Sequence, residues 1–312
     1  MRPRLERTTP YPSAPSRPGG AAASAPASAG SPPLGSRPLR SDPLSVVRSL
    51  TGRDRFIVTV LAEHQVLTTA QLAQLCFGRL DLAQRRLLRL VRLGVLDRFR
   101  WHALVGSEAW HYTLGPAGAA IDAAGRGVEA PRAAELRRRA LRLAASPRLA
   151  HLLGVNGFFC ALAGAARRQP GSALVSWRSE RRCAELYGTL VRPDAAGIYQ
   201  EGGQQVGFFL EHDTGSEPLA RVAAKLAGYA ELQAAGGPRH AVCFWLPSTA
   251  REAHLRRLLA EHPGPVQVAT ASAELADALS TDPAGAIWLP LGAERRRRLA
   301  GLADPRRPTT PR

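Results

Sequence analysis

A chain of 312 residues, 45% hydrophobic and 21% charged, is long enough to bury one or two cores. Its formal net charge of +17 points to a polyanionic partner, most simply double-stranded DNA, although part of that charge lies on two arginine-rich ends. No run of about 18 apolar residues and no apolar leader with a cleavage site occurs, so the sequence predicts no membrane partner and a cytoplasmic location. Cys76, Cys160, Cys183 and Cys243 form no C-x-x-C pair and read as buried free thiols rather than zinc ligands.

Residues 1–50 are rich in Pro, Ala, Ser and Gly and predict a disordered basic tail. Helical periodicity begins at Thr51, an N-cap for Thr51–His64, whose Phe56, Ile57, Val60 and Leu61 share a face. Thr68 opens a second short helix that Gly78 ends. Asp81, with Gln84 three residues on, predicts a capping box for a third helix ended by Gly94. Leu82, Leu87, Leu90, Val91 and Leu93 line one side of that helix, and Arg85, Arg86, Arg89 and Arg92 another. Strand-like segments Val95–Trp101 and Trp110–Leu114 follow, joined by a loop at Gly106-Ser107.

Three helices and a hairpin, the third helix basic, is the order of a winged helix-turn-helix domain, assigned here to residues 51–124. Such a domain lays its third helix in the major groove of double-stranded DNA. Arg79, Arg85, Arg86, Arg89 and Arg92, with Arg98 and Arg100 in the wing, would meet phosphates or base edges. A protein-interaction module with a solvated charged face fits the same order. A homodimer is compatible with such a head, although no heptad or apolar stripe commits the chain to one.

Residues 125–147 read as a basic linker or connecting helix, and 148–292 as an α/β domain. Ser146–Arg168 is an apolar helix with His151 and Asn156 as polar exceptions, and Leu174–Glu180 is a strand. Thr189–Tyr199 and Gln204–Asp213 suit two strands of a hairpin turning at Glu201-Gly202-Gly203. Ser216 caps a helix from Pro218 to about Leu232, and Ala241–Leu246 is a further strand. A helix at Arg251–Glu261 and strands near Val266–Ala269 and Ile287–Leu289 complete the sheet. Residues 293–312 read as a second basic disordered tail.

Side chains alternate along a strand, so Glu211 and Asp213 face one way and His212 the other. The hairpin can bring Asp194 beside them. Three carboxylates on one face repel unless a cation or proton compensates, and an oxygen-only set suits Mg²⁺. Of the 42 basic residues only Lys225 is a lysine, which suggests that a compact ammonium is needed near this cluster. Structural roles fit the same residues: Asp194 capping a turn, Asp213 forming an Asx-turn, Lys225 pairing with Glu211 or Asp213. Tyr229, one turn beyond Lys225, reads as packing.

The order helix-strand-strand-strand-helix-strand, with Pro193-Asp194 on one strand and Glu211-x-Asp213 on the next, resembles the PD-(D/E)XK nuclease-like fold. Over roughly residues 51–290 the chain resembles the replication-relaxation family of actinobacterial plasmid and mobile-element proteins. The segments that carry this are LTTAQLAQLCFG, AQRRLLRLVRLGVLDR, LAHLLGVNGFF, VRPDAAGIY and FFLEHDTGSEPLARVAAKLAGY. The overall expectation is thus an α+β chain, a winged helix followed by an α/β body. The resemblance implies that Asp194 and Glu211 bind Mg²⁺ and that the metal and a lysine activate a water for phosphodiester cleavage. Asp213 stands where that pattern has Lys, so Lys225 would supply the ammonium from the next helix, with Asp194, Glu211, Asp213 and Lys225 as the catalytic set. A metal-dependent DNA endonuclease and a non-catalytic DNA-binding accessory factor or transcriptional regulator both remain open.

Overall fold

In the computed structural model the described residues are 43–100, 109–261 and 264–303. The tail up to residue 42, the Gly106-Ser107 loop and residues 304–312 lie outside them. The chain is mixed α+β and divides into two compact units, one up to Leu149 and one from Ala150.

In the first unit, α1 (Pro43–Ser49) precedes α2 (Gly52–His64). Helix α1 falls inside the stretch expected to be unstructured. Its sequence is short, but Val46 and the following Leu50 are buried, and that burial outweighs the poor local signal. Thr51 caps α2 through a capping box with Asp54. Thr68 does the same with Gln71 for α3 (Thr69–Leu72), which continues as a π-turn over Ala73–Phe77 and stops at Gly78, φ 77°. Helix α4 runs from Leu80 to Arg92. The capping box expected at Asp81 is absent: Asp81 sits within the first turn and accepts from Arg79 and Arg85 instead. Leu87, Leu90 and Val91 are buried, whereas Leu82, expected on the same apolar side, stays exposed.

Strands β2 (Leu96–Phe99) and β3 (His111–Leu114) pair antiparallel, and the two-residue β1 (Leu67–Thr68) lines the other side of β3. Helices α5 (Pro116–Arg126) and α6 (Ala133–Ala144) close the unit.

The second unit is a six-stranded mixed sheet in the order β4-β5-β6-β7-β8-β9. Strands β4 (Ala173–Ser179), β5 (Ala195–Glu201) and β6 (Gln204–His212) form an antiparallel meander, turned at Gly202-Gly203, where both φ values are positive. From β6 the sheet continues parallel through β7 (Ala241–Leu246) and β8 (Val268–Ser272), with α9 (Leu219–Ala234) and α10 (Thr249–Glu261) as the crossovers. The short β9 (Leu289–Pro290) closes the edge.

One feature departs from the expected helix-strand-strand-strand order. Helix α8 (Glu180–Tyr187) separates β4 from β5, with Ser179 as its N-cap, so Glu180 opens a helix rather than ending a strand. Strand β5 accordingly starts at Ala195, later than Thr189. Helix α9 likewise begins at Leu219, with no side-chain cap from Ser216.

Helix α7 (Leu149–Arg168) is long and apolar enough to cross a membrane by length and composition, yet 61% of its apolar window is buried within the protein. Val155, Phe158, Phe159 and Leu162 pack on Ala195, Tyr199, Phe208 and Leu210, which makes α7 a core helix of the sheet. The opposite face carries Phe209, Val242 and Phe244 against Cys183, Val222, Tyr229, Leu232 and Leu255 from α8, α9 and α10. The residues after Ile287, expected as a tail from 293, instead return to the sheet. Leu299, Ala300 and Leu302 are buried in a 3₁₀ turn, and Arg298 binds Glu201 with Nη2–Oε1 at 2.6 Å. All four cysteines are buried and none forms a disulfide.

Candidate functional sites: a buried carboxylate cluster and an arginine-bearing helix

The period of two along β6 decides what its last residues meet. Phe208 and Leu210 belong to the α7 face and Phe209 to the α9 face, so Glu211 follows Phe209 toward α9 and His212 follows Leu210 toward α7. On the α9 side Lys225 and Tyr229, one helical turn apart, both reach Glu211. Lys225 Nζ lies 2.5 Å from Oε2, and the Tyr229 hydroxyl donates to Oε1 at 2.5 Å. Glu211 is only 2% exposed.

Asp194, in the residue before β5 begins, faces the end of the same strand pair. Its Oδ2 accepts the His212 backbone N–H at 2.8 Å, and Oδ1 lies 3.2 Å from His151 Nε2 on α7. Asp194, Glu211 and Lys225 therefore converge, as the sequence suggested. Asp213 does not join them. Strand β6 ends at His212, and Asp213 turns away, accepting from the Gly215 N–H at 2.9 Å as an Asx-turn and pairing with Arg251 of α10 through Nε–Oδ2 and a 3.1 Å Nη2–Oδ1 bond. Arg251 also donates to the Glu217 carbonyl at 2.5 Å and so fixes the loop into α9.

The electrostatics follow from burial. Burial first, then repulsion from Asp194, pushes the Glu211 carboxyl up from 4.5 to about 7, more than Lys225 and Tyr229 pull it down. At Asp194 burial works the same way, but His151, Lys225 and the His212 N–H outweigh it and hold that carboxyl below its usual range. Burial alone would depress the Lys225 ammonium, yet Glu211 and Asp194 prevail and raise it. Burial and the neighbouring His151 lower His212 to about 4, which keeps its imidazole neutral.

His212 also packs on Gly154 of α7. A Cβ at Gly154 would lie 2.4 Å from His212 Cε1 and 2.5 Å from Nε2. Gly154→Ala is expected to destabilise the second unit by about 1–3 kcal/mol, the usual cost of overpacking, read as a lower denaturation midpoint.

Whether these residues fit Mg²⁺ depends on free oxygen donors. Each oxygen of Glu211 and of Asp194 already has a protein donor, Asp213 belongs to Arg251, and no group of three or more His, Cys, Asp or Glu side chains among the described residues is placed to hold a metal ion. Mg²⁺ keeps several waters and needs open octahedral positions, and this arrangement supplies ammonium, phenol and imidazole contacts instead. The donor set as it stands does not fit the ion.

Sequence reading missed three members of this network. Tyr229 was legible, since the i, i+4 spacing from Lys225 puts both on one helix face. His151 stands out in sequence as a polar exception on an apolar helix, but nothing local links it to Asp194 or Arg251 to Asp213, because they arrive from α7 and α10.

In the first unit, Arg79, Arg85, Arg89 and Arg92 are exposed along α4, and Arg98 and Arg100 are half-buried at the hairpin. Arg79 and Arg85 share Asp81 at 3.0 and 3.2 Å, surface pairs that hold little energy. Arg86 departs from the expectation. It turns inward to Asp54 of α2, donating from Nε at 2.9 Å and pairing again through Nη2, which also reaches the Ser49 carbonyl at 3.3 Å. Asp54 is fully buried, and the salt bridge holds α4 on α2.

These features define a two-unit α+β protein: a helical unit with a small three-stranded sheet and an arginine-bearing helix, and a mixed sheet with a buried carboxylate cluster at its strand ends. The family model described as replication-relaxation matches residues 58–242, more than half of the chain, and the chain belongs to that family. No curated protein and no solved structure matches it.

Proposed function

We propose that this chain is a double-stranded-DNA-binding protein acting in plasmid or mobile-element replication or relaxation, and that its body is a PD-(D/E)XK-like scaffold rather than a cutting domain. The observation that carries the first half is α4. Its buried face holds Leu87, Leu90 and Val91, its outer face presents Arg79, Arg85, Arg89 and Arg92, and a β-hairpin follows. That order and charge support a winged helix with α4 in the major groove and β2–β3 along the backbone. The second half rests on the protein donor that each oxygen of Asp194 and Glu211 already holds.

A Mg²⁺-dependent nicking enzyme is the second reading, favoured by the convergence of Asp194, Glu211 and Lys225. One experiment separates them: supercoiled plasmid with the purified protein, in Mg²⁺ or Mn²⁺ against EDTA, beside Asp194→Ala. The scaffold reading expects salt-sensitive binding and no metal-dependent open circle. Open circle that needs metal and Asp194 while binding persists in the variant would overturn it, and absence of salt-sensitive binding would overturn the DNA-binding reading.

A further inference from the structure

The hairpin carries an arrangement that neither the charge count nor the helix order explains. Arg98 lies on β2, and one position beyond the last paired residues, Phe99 and His111, stand Arg100 and Trp110. Both guanidinium groups stack on the same indole: Arg98 Cζ lies 3.8 Å from the Trp110 ring centroid and Arg100 Cζ 4.4 Å. Arg98 lies on β2 and Arg100 one residue past its end, two positions on, and the indole collects both guanidinium groups.

The platform is itself fixed. The Trp110 carbonyl accepts the Thr69 N–H at 3.1 Å, which ties it to the first residue of α3. Among the described residues no carboxylate makes an ion pair with either arginine, in contrast to Arg79, Arg85 and Arg86 of α4. The Arg98 Nε is buried without a hydrogen-bond partner. Asp97, next to Arg98 in the chain, feels its charge without forming an ion pair, so two guanidinium groups gathered on one indole are left to meet an added anion.

We propose that Trp110 is a positioning residue that holds Arg98 and Arg100 as a paired unit for the DNA backbone, each guanidinium contacting one phosphate. This rests on the DNA-binding reading above. A guanidinium held over an aromatic ring loses less freedom on binding than a free arginine chain does, and with the Arg98 Nε buried it is the Nη groups of that residue that are offered to phosphate oxygens. Trp110 acts through the arginines and touches no phosphate itself.

The test is fluorescence anisotropy with a labelled DNA duplex over a range of salt concentrations, using the full chain. Each phosphate contact contributes about 0.9 to the slope of log affinity against log salt. The Arg98→Ala/Arg100→Ala pair should therefore flatten the slope by about 1.8 relative to the wild type. Trp110→Leu, which fills space without an aromatic face, should reproduce most of that loss, and adding the two arginine substitutions to it should change the slope little further. Trp110→Phe, which keeps a stacking face, should restore most of the slope, a rescue that a purely structural role would not predict. Thermal unfolding of each variant confirms that the first unit is folded.

A Trp110→Leu or Arg98→Ala/Arg100→Ala protein with the wild-type slope would overturn the positioning role while leaving DNA binding by α4 intact. A Trp110→Phe protein as defective as Trp110→Leu would overturn it too. A wild-type protein with no salt-dependent affinity would remove the DNA-binding reading and this inference together.

Discussion

Lys225→Ala is expected to destabilise the second unit by about 3 kcal/mol at pH 8 and by only about 1 kcal/mol at pH 5.5. Breaking a buried pair costs about 3–5 kcal/mol because the remaining charge stays buried. The lower end applies here, since the Lys225 side chain keeps 32% of its surface exposed. The pH dependence has a definite sign. The folded-state pKa of Glu211, about 7, lies above its ordinary 4.5, so the folded protein holds this proton more tightly than the unfolded chain. Its favourable contribution is complete below about pH 4.5 and is lost as pH rises through about 7. Lys225 limits that loss by stabilising the carboxylate. Without it the pKa climbs further, and the variant diverges from the wild type as pH rises. At pH 5.5 Glu211 carries a proton in both proteins, and what is missing is a hydrogen bond and the charge support that Lys225 gives Asp194. Urea unfolding at the two pH values measures this. A loss independent of pH would show that Lys225 supports the sheet by packing alone. The measurement also bears on catalysis, because a lysine committed to a buried glutamate is not free to activate water.

The local parts of this fold are legible in the chain. Thr51 as an N-cap and Thr68 as a helix start announce two helices, Gly78 announces an end, and Gly202-Gly203 announces the hairpin, because each of these is set by backbone geometry within four residues. The convergence of Asp194 and Glu211 with Lys225 was also readable, from strand parity and a lone lysine. Two kinds of feature were not. Helix α1 and the 3₁₀ turn at Leu299–Leu302 are short segments in compositionally biased ends, ordered by burial against residues distant in sequence. The partners of the carboxylates escaped notice for a related reason: Arg251 is 38 residues from Asp213, and His151 reaches Asp194 from α7, so nothing in the local pattern links them. Asp213 shows the limit of strand parity. Alternation placed it beside Glu211, but the strand stops one residue earlier: the Asp213 N–H still donates to the Trp245 carbonyl at 2.9 Å, while its side chain closes an Asx-turn with Gly215 and pairs with Arg251.

Arg86→Ala is expected to be the most damaging single arginine substitution in the first unit, at about 3–5 kcal/mol, while its neighbour Arg85→Ala costs less than about 0.5 kcal/mol. Sequence alone puts the two side by side on one charged helix face. In the structure they have opposite jobs. Asp54 is fully buried and accepts from the Thr51 N–H and hydroxyl at 2.7 Å as well as from Arg86. Burial raises its pKa, but the Arg86 and Thr51 contacts outweigh this and hold it below 3.8. A folded pKa below the unfolded one contributes stability above about pH 4 that is lost as pH falls through the folded value. Removing Arg86 leaves an anion in the core between α2 and α4 with only the Thr51 donors, and also frees the Ser49 carbonyl that tethers α1. Arg86→Lys should recover part of the loss at most, since an ammonium cannot make the two-pronged contact. Among the described residues Arg85 pairs with the exposed Asp81 alone, so its substitution is expected to leave the denaturation midpoint in place and, on the proposed DNA-binding reading, to flatten the salt dependence of duplex affinity by about 0.9. Stability and duplex affinity measured on both variants thus separate the arginine that builds the helix pair from the one that the proposed function assigns to the phosphates. Loss of DNA affinity in Arg86→Ala at full stability would return Arg86 to the binding surface.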